Sequence, residues 1–279
     1  MEEKIIVSLT SYGERLNNLP VVLDTIYAQT LPPDLVVLNI AYEEILPNEV
    51  EDYLQNHHVE INRVPDTKVY KKIIPTIKKY PNDSVICIDD DWLYPIHMIE
   101  DFVDIHKKYP NNPISGNRVI INGMQCHCGC ASLVKKEYFG AYVDLSDDIF
   151  INCKSSDIFY TYCAVKTGRP YIRTTGIYYE NMQSYNPIDS YSKCNPEGIR
   201  ETISYLSSKF GTIDKLLELY FSIGYEENII GIVNDIESTY RQEIKKINKN
   251  YIELKNSQSF RLGYILLTPF RWIKRMLKK

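Results

Sequence analysis

Apolar and polar positions along this chain follow two rhythms. Short runs rich in apolar residues at Lys4–Leu9 (KIIVSL), Leu35–Ile40 (LVVLNI) and Ser84–Ile88 predict buried strands, and Val59–Val64 reads as a further strand. Between them, Leu16, Leu19, Leu23, Ile26 and Tyr27 recur at helical spacing. Val69–Tyr80 predicts a second helix, with Ile73, Ile74 and Ile77 on one face and lysines elsewhere. An interior proline costs about 3 kcal/mol, so Pro75 marks a point where that helix starts or kinks. Pro95–Tyr109 predicts a third helix, its apolar set Ile96, Ile99, Phe102, Val103 and Ile105.

Strands that alternate with helices imply an α/β, Rossmann-like architecture with a mixed, mainly parallel sheet covered on both faces. Ligands of such sheets bind at the carboxyl ends of the strands. Two polar segments fall there: the turn Thr10-Ser11-Tyr12-Gly13 and the run Asp89-Asp90-Asp91. Further on, Asn117–Asn122, Ala131–Val134 and Pro170–Thr174 predict strands, and Ser156–Lys166 a helix. Tyr178–Pro196 reads as a polar loop rich in Tyr and Asn, and from Glu197 the pattern is helical to the end. The expected division is an α/β domain over 1–196, a helical C-terminal extension over 197–258 and a basic amphipathic tail over 259–279.

Composition narrows this little. A chain of 279 residues holds one large domain, or one with an appendage. Its 23 tyrosines suit sugar and nucleotide pockets, and equally a plain core. Charge is more informative. The net charge is −4, yet Phe260–Lys279 carries six Lys or Arg and no acid, so the remainder stands at −10 (−4 minus +6). An acidic body with a basic tail is not the footprint of a nucleic-acid binder. Seven cysteines, an odd number, behind a charged start that runs into a strand predict a reducing, cytoplasmic setting.

The tail itself is patterned. Leu262, Ile265, Leu266, Phe270, Ile273, Met276 and Leu277 share one helical face, and Arg271, Lys274, Arg275 and Lys278 the other. No apolar run approaches the roughly 20 residues that span a bilayer. The tail therefore predicts an in-plane anchor at the inner membrane surface, and a docking helix is the competing reading. Cys126-His127-Cys128-Gly129-Cys130 has the wrong spacing for a structural zinc site, so small buried cysteines are expected there.

The aspartate run carries the strongest chemistry. Carboxylates clustered at a strand end suit a hard cation, Mn²⁺ or Mg²⁺, held jointly with substrate phosphates. A solvated acidic turn, or charges favouring the next helix by about 0.3–1 kcal/mol, would explain the same residues.

Three stretches, IIVSLTSYGERL (Ile5–Leu16), VYKKIIPTIKKYPNDSVICIDDDWLYP (Val69–Pro95) and SSDIFYTYCAVKTGRP (Ser155–Pro170), resemble glycosyltransferases of the GT-A fold, in the family 2-like group of bacterial polysaccharide synthesis. Helix, strand and acidic triplet arrive in the family's order, which is more specific than a bare D-x-D. The resemblance implies a nucleotide-diphosphate sugar donor, with a UDP-sugar favoured, and a glycan or lipid-linked acceptor. By position it places Asp89 near the ribose and Asp91 on the cation, with Asp90 as ligand or supporting residue. Thr10, Ser11, Tyr12 and Arg15 would contact the nucleotide. Lys71 or Lys72 would stand beside it, Lys72 being the candidate carried forward, although an exposed helix face is the plain reading of both.

Transfer also needs a base for the acceptor hydroxyl. The family's pattern maps onto Ser156-Asp157-Ile158-Phe159 and points to Asp157, with inversion at the anomeric carbon. Ser156 stands where relatives often have an acid, and a helix-capping role for Asp157 is the alternative. Asp147 and Asp148, read as a loop, form a rival pair. The histidine that relatives often supply late as a third metal ligand is missing, since none follows His127; either Asn181, Gln183, Asn186 or Asp189 compensates, or the diphosphate and water suffice. Another metal-dependent nucleotide-sugar enzyme, such as a nucleotidyltransferase, or a non-catalytic glycan-binding or scaffold protein on the same fold is compatible with these residues.

Overall fold

The structure, a computed structural model, describes residues 3–116, 120–121, 124–127, 129–144, 147–173, 180–181 and 196–222. Its centre is a sheet of seven strands: β1 (Ile5–Thr10), β2 (Leu35–Ala41), β3 (Glu60–Val64), β4 (Ser84–Ile88), β6 (Ile114–Ser115), β9 (Ala131–Val134) and β10 (Ile172–Arg173), in the spatial order β10-β6-β9-β4-β1-β2-β3. The neighbours β3, β2, β1 and β4 run parallel, as do β6 and β10, while β9 lies antiparallel between β4 and β6. The sheet is mixed and mainly parallel. Two short ribbons complete the strands: β5 (Trp92–Leu93) with β11 (Glu180–Asn181), and β7 (Ile120–Ile121) with β8 (Met124–Gln125).

The chain runs from β1 out to β2 and β3, then returns to place β4 on the opposite side of β1. This reversal opens a crevice beyond the carboxyl ends of β1 and β4, where doubly wound sheets place their ligands. Thr10 ends β1 and Asp89 follows β4 at this place.

The helices are α1 (Leu19–Tyr27), α2 (Asn48–Asn56), α3 (Ile74–Lys79), α4 (Met98–Lys108), α5 (Lys136–Phe139), α6 (Asp147–Asn152), α7 (Ser156–Lys166), α8 (Pro196–Phe210) and α9 (Ile213–Ser222). In α4, Met98, Ile99, Phe102 and Ile105 face the core, acids occupy the first turn and His106–Lys108 the last, matching the helix dipole. In α7, every residue from Ile158 to Val165 is buried, as expected of a helix enclosed on all sides. Ser155 caps it, its Oγ accepting from Ile158 N at 3.4 Å. Leu206 of α8 and Leu216 and Tyr220 of α9 join the buried cluster that holds Tyr70, Phe159 and Tyr162.

Several expectations are refined. The segment 69–80 is two pieces, a 3-10 turn at Lys68–Lys72 and then α3, and Pro75 sits in the first turn of α3. A proline is tolerated there because the first helical N–H groups have no partner to lose. Asp147 and Asp148 open α6 rather than lying in a loop. In the Tyr-rich segment, Glu180–Asn181 forms a strand against Leu93 and Trp92. The remainder of that segment, residues 223–258 and the basic tail over 259–279 lie outside the described residues. Among the described residues no helix is long and apolar enough to cross a membrane.

Candidate active site

The site begins where β4 ends. Buried Ile88 gives way to Asp89, and each of the three aspartates meets a different environment. Asp90 is the most enclosed and takes Arg15, whose Nε lies 3.0 and 3.1 Å from its two carboxylate oxygens while Nη2 also reaches Oδ1. The same Nη2 contacts Asp91 Oδ2 at 2.9 Å. Asp89 pairs instead with Lys72 Nζ, from the 3-10 turn before α3. The Asp89, Asp90 and Asp91 side chains are 30%, 6% and 26% exposed, so the outer two are partly open to solvent and the middle one is enclosed.

Lys72 does more than pair with Asp89. Its Nζ donates to the Gly129 carbonyl at 2.7 Å. Tyr94 closes the same gap from the other side: its hydroxyl accepts from Asp89 N and donates to Cys130 O, both at 2.8 Å. The turn at Gly129–Cys130 is thereby fixed against the strand end. Gly129 in turn abuts Asp157, and a Cβ there would lie 3.3 Å from Asp157 Oδ1 and 3.6 Å from Lys72 Nζ. Asp157, in the first turn of α7, therefore belongs to the same constellation as Asp89.

Electrostatics follow from this crowding. Burial pushes the Asp157 carboxyl up to about 6, with Lys72 pulling it down and Asp89 adding to the rise. Burial, and then the Asp89 charge, also hold Asp91 above an ordinary aspartate. Burial disfavours the Lys72 and Arg15 cations, but Asp89 offsets this for Lys72 and Asp90 for Arg15, so both stand above their usual values. Four carboxylates (Asp89, Asp90, Asp91, Asp157) face two cations (Arg15, Lys72), which leaves a formal charge of −2.

Where β1 ends, the Thr10 and Ser11 hydroxyl oxygens are buried and have no hydrogen-bond partner among the described residues. Buried hydroxyls are nearly always paired, so two adjacent orphans at a strand end need an explanation. Tyr12 is partly exposed beside them, with the Arg15 guanidinium 5.6 Å from its ring centre.

The structure thus gathers Thr10, Ser11, Tyr12, Arg15, Lys72, Asp89, Asp90, Asp91 and Asp157 around one crevice. Lys71 and Lys72 are both buried, against the reading of an exposed face, and Lys71 is spent on Asp66. Tyr94 and Gly129 escaped sequence reasoning. Tyr94 looked like one more aromatic, and nothing local to Gly129 announces that its missing side chain makes room for Asp157.

Cys126 and His127 are buried beneath the site, and His127 Nδ1 lies 2.9 Å from the Tyr171 hydroxyl. Burial, with Lys72 nearby, drives the His127 pKa well down, so it is neutral. Among the described residues no three His, Cys, Asp or Glu side chains form a ready metal cage. A cation at Asp91 would draw its remaining ligands from a phosphate or water. Of the possible compensating ligands, residue 181 stands in β11 opposite Trp92, while residues 183, 186 and 189 lie outside the described residues.

Neither a sequence family nor a curated protein matches the chain. Solved structures do. The mannosyltransferase PcManGT from Pyrobaculum calidifontis, solved in complex with GDP-Man and Mn²⁺, is similar over 94% of this chain and 83% of its own, with a TM-score of 0.57 and 13% identity. S. aureus TarS is similar over 80% of this chain and 44% of its own, with a TM-score of 0.51 and 11% identity. At such identities the likeness speaks for the fold: this chain has the α/β, Rossmann-like fold of GT-A-type transferases, with a helical region at its C-terminal side.

Proposed function

We propose that the protein is a glycosyltransferase that moves a sugar from a nucleotide-diphosphate donor, with a UDP-sugar favoured, to a glycan or lipid-linked acceptor. The observation that carries this is the excess of two negative charges over Asp89, Asp90, Asp91 and Asp157 against Arg15 and Lys72, together with two buried hydroxyls at Thr10 and Ser11 that have no partner among the described residues. The likeness to a fold that, in PcManGT, holds GDP-Man and Mn²⁺ supports the same reading.

A divalent cation, Mn²⁺ or Mg²⁺, fits these residues. The Asp91 carboxylate is partly exposed and shares the single Arg15 cation with Asp90. When bound, the cation would neutralise the diphosphate and ease its departure. Arg15 holds Asp91 in place, and Asp90 holds Arg15. Thr10, Ser11 and Tyr12 would receive the nucleoside portion.

Asp157 is the proposed base. As the acceptor oxygen bonds to the anomeric carbon, the bond from that carbon to the diphosphate breaks, and the acceptor proton passes to the Asp157 carboxylate. A carboxyl raised to about 6 is mostly ionised at neutral pH yet basic enough to take a proton. Attack on the face opposite the leaving group gives inversion. The basic tail would keep the enzyme on the cytoplasmic face of the membrane, where each basic group contributes about 1 kcal/mol against anionic lipid.

Calorimetry with UDP and GDP, with and without Mn²⁺, tests the proposal. Cation-dependent binding that Asp91→Asn abolishes is expected. Nucleotide binding indifferent to both the cation and Asp91→Asn would overturn it, as would no binding of either nucleotide.

A further inference from the structure

Three neighbouring strands of the sheet each carry a polar residue whose side chain is buried or half-buried. Ser8 lies in β1, Asn39 in β2 and Asn62 in β3, where Asn39 and Asn62 are direct cross-strand partners. Ser8, Asn39 and Thr76 of α3 are fully buried. Strands in a parallel sheet covered on both faces favour unbroken apolar runs, and a buried polar group left unpaired carries a desolvation penalty.

Here the groups pair with one another. Asn62 Nδ2 donates to Asn39 Oδ1 at 2.8 Å. Asn39 Nδ2 donates to Thr76 Oγ1 at 2.8 Å and to Ser8 Oγ at 3.1 Å. Ser8 Oγ lies 2.7 Å from both Thr76 Oγ1 and the Lys72 carbonyl. A carbonyl only accepts, so the Ser8 proton points to Lys72, and Thr76 must donate to Ser8. Each proton then has one position, and the order runs from Asn62 inward to the backbone of Lys72.

Lys72 is the residue whose ammonium joins Asp89 to the Gly129 carbonyl. The network therefore ends on the backbone of the residue that ties the two acidic parts of the site together. Apolar residues of the same shape would serve stability about as well, so what a directional network adds is position. We propose that Ser8, Asn39, Asn62 and Thr76 form a positioning device that sets Lys72, and through it Asp89 and the Gly129 turn, for donor binding. The part concerning the donor rests on the function proposed above.

The test compares Thr76→Val, which keeps shape and removes the proton, with Thr76→Ser, which keeps the hydroxyl and removes a methyl. Two readouts are taken: amide hydrogen exchange across residues 68–73, and calorimetric affinity for UDP and GDP with Mn²⁺. Thr76→Val is expected to speed exchange at 68–73 about ten-fold and weaken nucleotide binding about ten-fold, the scale of one lost hydrogen bond. Thr76→Ser should stay near wild type in both, despite its lost core methyl. Unchanged exchange at 68–73 in Thr76→Val, or faster exchange spread evenly over the sheet, overturns the proposal. If wild type binds neither nucleotide, the donor reading fails, and exchange alone still decides whether the network anchors Lys72. Should Thr76→Val not fold, Asn62→Leu at the half-buried outer end gives the same readouts, with the same sign expected.

Discussion

Gly129 and Asp157 lie so close that a Cβ on the glycine would sit 3.3 Å from the Asp157 carboxylate. That distance is tighter than ordinary van der Waals contact, while the second neighbour, Lys72 Nζ at 3.6 Å, is in ordinary contact. Gly129→Ala should displace the proposed base by a few tenths of an ångström. Transfer activity is expected to fall about ten-fold or more, since small misplacements at a reacting centre are costly. Nucleotide affinity and folding stability should change little. A steady-state comparison of kcat with the calorimetric affinity checks the split.

Asp157 gives the enzyme its expected pH dependence. The folded chain holds the Asp157 proton up to about pH 6, against 3.8 for an ordinary aspartate. A base must be ionised, so transfer should rise with pH and level off above about 6. The stability effect follows from the same shift. Between those values the folded state binds the proton and the unfolded state does not, so ionising Asp157 costs stability as pH rises from about 4 to 6. Asp157→Asn should abolish the rate limb, spare nucleotide binding and flatten that part of the stability curve. Full activity in this variant would remove Asp157 from the mechanism.

Arg15 and Asp90 form an enclosed pair, 13% and 6% exposed. Breaking such a pair from one side leaves a buried charge unmatched. Arg15→Met should therefore cost about 3–5 kcal/mol in urea denaturation. Adding Asp90→Asn should recover a large part of that loss, because the orphaned charge goes with it. Additive losses in this cycle would show that the two residues are not coupled.

Tyr94 carries little chemistry of its own, yet its hydroxyl serves both Asp89 N and Cys130 O. Tyr94→Phe preserves the ring and strips both contacts. The expected cost is about 1–3 kcal/mol, since an enclosed backbone N–H and a carbonyl lose their partner. Chemical denaturation reads the loss, and a neutral result would mean that water takes the vacated place.

Much of this arrangement could be read from the residues. The runs at β1, β2 and β4 are apolar enough to announce buried parallel strands, and Pro75 signals where α3 begins. Three adjacent aspartates after a strand point to a ligand, and the resemblance brought Lys72 and Asp157 alongside them. Pattern alone missed α2, a mostly polar helix that buries only Val50 and Leu54. It also missed how the aspartates divide between Arg15 and Lys72, because those pairs join residues 75 and 17 positions apart. Ser8 and Asn39 stood in view as polar breaks in apolar strands, but only the hydrogen bonds that join them with Asn62 and Thr76 show that they meet. Asp147 and Asp148 look like loop residues because two acids in a row favour turns, whereas at the start of α6 the same charges suit a helix N-terminus.

The ribbon formed by β5 and β11 begins one residue past Asp91 with Trp92, one of two tryptophans in the chain. An indole in that place is a natural optical reporter. Quenching or a spectral shift of its emission would follow ligand arrival at the neighbouring aspartates in real time, with no label attached, and replacing Trp272 would leave Trp92 as the only indole.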